Sequence, residues 1–139
     1  VILCDDHALI RRGIRETLSE AADMRVVGEA GDYGELRSLM RGTHCDALVL
    51  DINLPGRNGL DVLHVLKDEG SPVKVLVVSM YPEDQYAIRA LRAGAFGYVN
   101  KGGDPATIVT AVRTVAQGRK YVTPEIAQML VESLNAPAP

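Results

Sequence analysis

Short apolar runs alternate with longer amphipathic stretches along the whole chain. Val1–Cys4, Val26–Ala30, Ala47–Leu50, Val73–Val78 and Gly97–Val99 have the length and aliphatic content of strands. Between them, His7–Ser19, Gly34–Arg41, Leu60–Lys67, Gln85–Ala93 and Pro105–Gln117 space their apolar residues three and four apart, which predicts helices. Strands that alternate with helices imply βαβ units and a parallel sheet, and right-handed crossovers place helices on both faces. Leu48-Val49-Leu50 and Val75-Leu76-Val77-Val78 are apolar without alternation, as central strands covered on both faces require. Met24–Glu29 is broken by charge and glycine, and Gly97-Tyr98-Val99 is short, so both suit sheet edges. The expected fold is α/β: a doubly wound, flavodoxin-like sheet of five parallel strands in the order 2-1-3-4-5.

Punctuation extends the pattern past the fifth strand. Asp104-Pro105 is a cap followed by a proline suited to the first helical position, and Gly118 can close that helix. Thr123-Pro124 repeats the start signal, and Ile126, Leu130 and Leu134 form the stripe of a sixth helix. Asn135-Ala-Pro-Ala-Pro139 follows as a linker-like tail. Residues 1–121 are expected to form the main domain, and 122–139 a helix and linker towards a further domain. The opening inside a strand, without an initiator methionine, predicts a piece of a longer protein.

Composition adds exclusions. The 139 residues suit one domain. With one Phe and no Trp in a chain that is 47% hydrophobic, aliphatic side chains must build the core. A formal charge of −3 leaves no basic footprint for direct nucleic-acid binding. No apolar run approaches the roughly 18 residues of a membrane helix, and no signal peptide opens the sequence, which favours a cytoplasmic location. Cys4 and Cys45 form no metal-ligand spacing and are read as small hydrophobes. They fall near opposite ends of parallel strands, too far apart for a disulfide. His7, His44 and His64 are read as structural or solvated.

In sheets of this kind ligands bind beyond the carboxyl ends of the strands, where the strand order reverses. Asp5-Asp6 follow the first strand, Asp51 the third, Ser79 the fourth, and Lys101 lies just past the fifth. Three carboxylates brought together repel one another and call for a cation. Oxygen donors favour Mg²⁺, whose two charges with that of Lys101 balance the three carboxylates. A phosphoryl group on Asp51 would replace one negative charge by about two, and its oxygens would draw Ser79 and Lys101 inward. Asp5-Asp6 also suit a cap for the first helix, and Tyr98 a half-buried edge position.

With these residues in place, the chain resembles a bacterial two-component response-regulator receiver domain, of the subfamily that precedes a LuxR-type helix-turn-helix output domain. The carriers are Cys-Asp-Asp-His at 4–7, Asp51-Ile-Asn-Leu-Pro-Gly-Arg-Asn-Gly59, Val77-Val-Ser-Met-Tyr81, Ala93-Gly-Ala-Phe-Gly-Tyr-Val-Asn-Lys101 and Gly118-Arg-Lys-Tyr-Val-Thr-Pro124. The resemblance implies that Asp51 is the phosphoacceptor and that Asp5 or Asp6, with Asp51 and the Asn53 carbonyl, holds Mg²⁺. It further implies that Ser79 is the switch hydroxyl, Lys101 the phosphate-binding lysine and Tyr98 an aromatic that turns inward on activation. Pro55 and Gly59 would shape the loop. The implied donor is a sensor histidine kinase, with the receiver catalysing transfer and slow self-dephosphorylation but acting as a switch rather than a turnover enzyme. A second copy of the domain is a candidate partner, and DNA only through the output domain.

Two residues depart from the commoner receiver pattern: Ser79 stands where Thr is more usual, and Met80 is bulkier than Ala or Gly and narrows access. Rival readings fare worse. An aspartyl phosphohydrolase wants a second acid two residues after the nucleophile, where this chain has Asn53. A nucleotide-binding module wants a glycine-rich loop after the first strand, where this chain has Cys-Asp-Asp-His. A receiver-like module without phosphorylation would lack one of the required groups, and all are present.

Overall fold

The computed structural model describes residues 1–80 and 85–135. Tyr81 and the tail beyond Asn135 therefore lie outside the described residues. The five expected strands form as β1 (Ile2–Cys4), β2 (Gly28–Ala30), β3 (Ala47–Asp51), β6 (Lys74–Ser79) and β7 (Gly97–Asn100). A short pair not anticipated from sequence, β4 (Asn53–Leu54) and β5 (Arg57–Asn58), lies between β3 and the third helix. The helices are α1 (Ala8–Ser19), α2 (Tyr33–Gly42), α3 (Gly59–Asp68), α4 (Gln85–Arg92), α5 (Pro105–Ala116) and α6 (Pro124–Asn135). The large sheet is parallel in the order β2-β1-β3-β6-β7, the expected doubly wound topology.

Alternate residues of the same strands serve opposite cores. Ile2, Cys4, Leu48, Leu50, Val75 and Val77 face a cluster completed by Leu36 of α2, Val62, Leu63 and Leu66 of α3, Ala87 and Ala90 of α4, and Ile126 of α6. Leu3, Val49, Leu76, Val78 and Val99 face the other, filled by Ile14 and Leu18 of α1 and Ile108, Ala111, Val112 and Val115 of α5. Leu48, Leu50 and Leu76 are fully buried. Burying such a side chain contributes about 1.5–3 kcal/mol, which makes the central strands the stable base on which the loops sit.

The helix punctuation is local chemistry. The Asp104 side chain accepts from the Ala106 N–H at 2.9 Å, with Pro105 in the first turn. Gly118 takes φ +80 after α5, and Thr123 Oγ1 accepts from the Ile126 N–H at 3.2 Å to start α6. The α6 helix lies on the body of the domain: its Ile126 is fully buried in the same core as Tyr98. Tyr98 is fully buried too, which corrects the expectation of a half-buried edge tyrosine. Strand β7 is an edge only in its hydrogen bonding, because α4 and α6 close over the face from which Tyr98 projects. Tyr121 pairs with Gly97 along the free edge. A Cβ on Gly97 would come within 2.9 Å of the Tyr121 carbonyl and of Leu76 Cδ1.

Three strands run one residue further than the apolar runs suggest. Asp51 pairs in register with Val78, and Ser79 with Asn100. Ladder pairing uses main-chain groups only, so the polar residues that end the apolar runs are still held by the sheet.

Candidate functional site

Parallel register brings four strand ends to one rim. The Asp5 N–H donates to the Ala30 carbonyl at 3.0 Å, the Ile52 N–H to that of Val78 at 3.2 Å, and the Lys101 N–H to that of Ser79 at 2.8 Å. Asp5, Asp51 and Ser79 are consequently buried, at 2%, 2% and 0% exposure. The loop after β7 is shaped by Asn100, whose side chain accepts from the Gly102 N–H at 2.8 Å. Lys101 reaches back from that loop to Asp5 Oδ2 at 2.5 Å and Asp51 Oδ2 at 3.1 Å. Its side chain is only 2% exposed.

The carboxylate cluster is larger than the sequence indicated. Asp6 is exposed at its rim, and His7 joins it. His7 Nδ1 lies 3.2 Å from both Asp5 Oδ1 and Asp6 Oδ1, and 3.9 Å from Asp51 Oδ2. One ligand atom from each of Asp5, Asp6, His7 and Asp51 falls within 4.8 Å of the others. From the sequence alone His7 reads as a structural or solvated residue opening the first helix. Its backbone N–H also donates to Asp5 Oδ1 at 2.8 Å, and it is the N-cap residue of α1, with no side-chain cap. The aspartate pair therefore does not cap α1 itself.

The Oδ2 atoms of Asp5 and Asp51 are buried without a hydrogen bond of good geometry. Lys101 touches both as a charge. One ammonium cannot neutralise two buried carboxylates and the neighbouring Asp6. Burial pushes the Asp51 carboxyl above the usual carboxylate range and the charge of Asp5 adds to this, opposed by the Asn53 N–H and Lys101. Orphaned carboxylate oxygens of this kind fit a hard divalent cation.

The hairpin explains the loop residues. Pro55-Gly56 joins β4 to β5 with Gly56 at φ +74, the pattern of a type II turn. Arg57 stacks 4.5 Å from the Tyr33 ring centre and ties the hairpin to α2. Asn53 is exposed on β4, and its N–H donates to Asp51 Oδ1 at 3.1 Å. At Gly59 the chain passes hard against the strand end. A Cβ there would sit 2.7 Å from Ile52 Cα and 3.0 Å from the Asp51 carbonyl.

The model of the response regulator receiver domain matches residues 1–113. The chain belongs to that family. It is 33% identical to the response regulator UvrY of Escherichia coli K12 over 99% of its length and 63% of that protein's. It is 36% identical to GacA of Pseudomonas aeruginosa, covering 94% and 61%. The chain thus spans about three-fifths of the length of these relatives. Among solved structures, a LuxR-family two-component response regulator from Aurantimonas superposes with a TM-score of 0.86 at 35% identity, covering 97% and 96%. The signal receiver domain of NarL from Mycobacterium tuberculosis gives 0.80 at 34%, covering 85% and 95%.

Receivers of this family are phosphoacceptor switches of two-component systems, supplied with phosphate by histidine kinases. In this receiver Met80, which the sequence suggested would narrow the site, points outward at 60% exposure. Both cysteines are free, and burial pushes the Cys4 thiol up to about 12, so it stays protonated. No helix among the described residues is long and apolar enough to cross a membrane.

Proposed function

We propose that this receiver takes a phosphoryl group on Asp51 in a Mg²⁺-dependent reaction and passes the change to a DNA-binding output domain of the LuxR type. The reading rests on one observation: Lys101 lies between the buried Asp5 and Asp51 carboxylates, two of whose oxygens have no hydrogen bond. An Asp51 oxygen attacks the phosphorus of a kinase phosphohistidine; the P–N bond breaks, an acyl phosphate forms, and the departing imidazole takes a proton from solvent. Asp5 and Asp6, with Asp51 and the Asn53 carbonyl, would hold the Mg²⁺. When bound, the ion neutralises charge on the phosphoryl oxygens. The Asn53 N–H orients Asp51 through Oδ1. Lys101 stands ready to pair with the new phosphate oxygens, and Pro55 and Gly59 hold the loop beside them. The missing second acid at Asn53 disfavours rapid turnover.

Ser79 serves as the relay, moving its hydroxyl to a phosphoryl oxygen. The signal then leaves through Tyr98 and the surface of α4, β7 and α5, which contacts the output domain or a second copy of the receiver. Tyr98 already lies inward in this structure, so its part is a change of packing against Ala87 and Ala90, not an entry from solvent. Helix α6 and the residues after it lead from residues 1–121 towards the output domain.

The test is intact mass after incubation with acetyl phosphate and Mg²⁺. One stoichiometric, hydroxylamine-sensitive phosphoryl adduct is expected. No adduct, or sustained turnover, overturns the reading.

A further inference from the structure

Arg11 is not among the residues of the site, yet its guanidinium lies directly behind it. The Arg11 N–H donates to the His7 carbonyl at 2.9 Å, the first turn of α1. This places the side chain over the crevice between the ends of β1 and β2. Nη1 donates to the backbone carbonyl of Asp5, with a longer contact of 3.5 Å to that of Ala30. Nε donates to Glu29 Oε1 at 3.3 Å, and Arg15 Nη1 holds Glu29 Oε2 at 2.9 Å. Gly31 leaves the space: a Cβ there would come within 3.3 Å of Arg11 Nη1.

Asp5 is thereby held on four sides, by Ala30 at its N–H, Arg11 at its carbonyl, His7 at Oδ1 and Lys101 at Oδ2. Three of these are obvious parts of the strand end or the site; Arg11 is the one that reaches in from a helix. Without it, the Asp5-Asp6 peptide loses the hold on its carbonyl, and the repulsion that drives the carboxylates away from Asp51 is less opposed. Arg11 and Arg15 on a single Glu29 also leave one net positive charge behind the acidic loop.

We infer that Arg11 is a positioning residue for the cation site, with Glu29 as its anchor, setting how tightly a divalent cation binds at Asp5, Asp6 and Asp51. The inference rests on the proposed cation site, and the test separates the two. Mn²⁺ is titrated into wild type, Arg11→Met, Arg11→Lys and Glu29→Gln, following paramagnetic broadening of the Asp5, Asp6 and Asp51 amides. In parallel, acetyl phosphate labelling is measured against Mg²⁺ concentration, and melting is recorded for each protein.

Loss of a group that orients a metal ligand typically weakens binding by about tenfold or more. Arg11→Met should raise the half-saturating cation concentration by about that factor and change the maximal labelling rate less. Arg11→Lys, which keeps the charge but not the fork, and Glu29→Gln should fall between. If Arg11→Met melts lower but keeps the wild-type half-saturation, Arg11 is structural and the inference is overturned. If Arg11→Met does not fold, an unshifted half-saturation in Glu29→Gln overturns it equally. Wild type that shows no broadening at these three amides removes the cation site itself, and the inference with it.

Discussion

The two ends of the parallel sheet carry the same kinds of charged residue under opposite conditions. At the carboxyl end Asp5, Asp51 and Lys101 are at most 3% exposed in their side chains, and the Lys101 ammonium lies 2.5 Å from Asp5 and 3.1 Å from Asp51. At the amino end Arg113 meets Asp23 at 2.7 Å and His44 meets Asp46 at 3.3 Å, with side chains 43–85% exposed. Water screens the second group and makes each pair nearly independent of its neighbours. The first group is out of water, so removing or adding a single charge there is felt by all of its members. A switch needs that second property, and only one end of this sheet has it. The contrast also limits Arg113, whose guanidinium Asp23 occupies through two hydrogen bonds.

The largest effect belongs to Asp51→Asn. The phosphoryl adduct should vanish entirely while the fold persists, as read by intact mass and circular dichroism; labelling at the wild-type rate would move the acceptor elsewhere. Next is Lys101→Met, which leaves two buried carboxylates without their cation. Breaking a buried pair costs roughly 3–5 kcal/mol, so urea denaturation without Mg²⁺ should show a loss of that order. Mg²⁺ should restore part of it, and a stability unchanged from wild type would mean that the carboxylates are not charged together.

Adding the cation sharpens the contrast from the other side. A Mg²⁺ concentration ten times its dissociation constant stabilises the folded form by about 1.4 kcal/mol, visible as a higher melting temperature. The sign of the pH effect follows from Asp51. Its carboxyl is raised by burial, so between the ordinary carboxylate value and the raised one the folded apo protein binds more proton there than the unfolded chain does. Its contribution to stability is greatest below the ordinary carboxylate value and is lost as pH rises through the raised one. Without metal, Asp51→Asn should therefore melt above wild type at neutral pH, with the gap closing on acidification. Protons compete with Mg²⁺ for the same oxygens, so the gain from Mg²⁺ should shrink over that window. A gain that grows on acidification contradicts the site.

Gly59→Ala tests the frame around the site. Overpacking of this kind costs about 1–3 kcal/mol, measurable by urea denaturation, and displacement of the Asp51–Ile52 backbone should slow labelling as well. The smallest effect belongs to the amino end. Arg113→Met should leave melting and labelling close to wild type, since the exposed pair contributes little; a large loss would erase the difference between the two ends.

Much of this was legible along the chain. Leu48-Val49-Leu50 and Val75–Val78 declare central strands because a strand covered on both faces has no polar positions to spare. Asp104-Pro105 and Thr123-Pro124 declare helix starts because caps are local chemistry. Strand ends follow from the same runs, so Asp5, Asp51 and Lys101 could be placed on one rim before any coordinates. The β4–β5 hairpin left a clear Pro55-Gly56 signal, but two-residue strands are too short for periodicity to register.

Features that depend on neighbours along the chain are thus written in it directly: the run of strands and helices, the caps, and the order in which polar residues leave the apolar runs. Tertiary structure decided the rest, because burial and charge coupling depend on residues far apart in sequence. Tyr98 is buried because α6, some 28 residues later, places Ile126 in the same core. His7 comes within 3.9 Å of Asp51 because the pairing of β1 with β3 sets the two strand ends side by side, and Arg11 reaches the Asp5 carbonyl because Glu29, on the neighbouring strand, holds its guanidinium in place. No pattern along the chain encodes these contacts, since each joins segments that only the assembled sheet brings together.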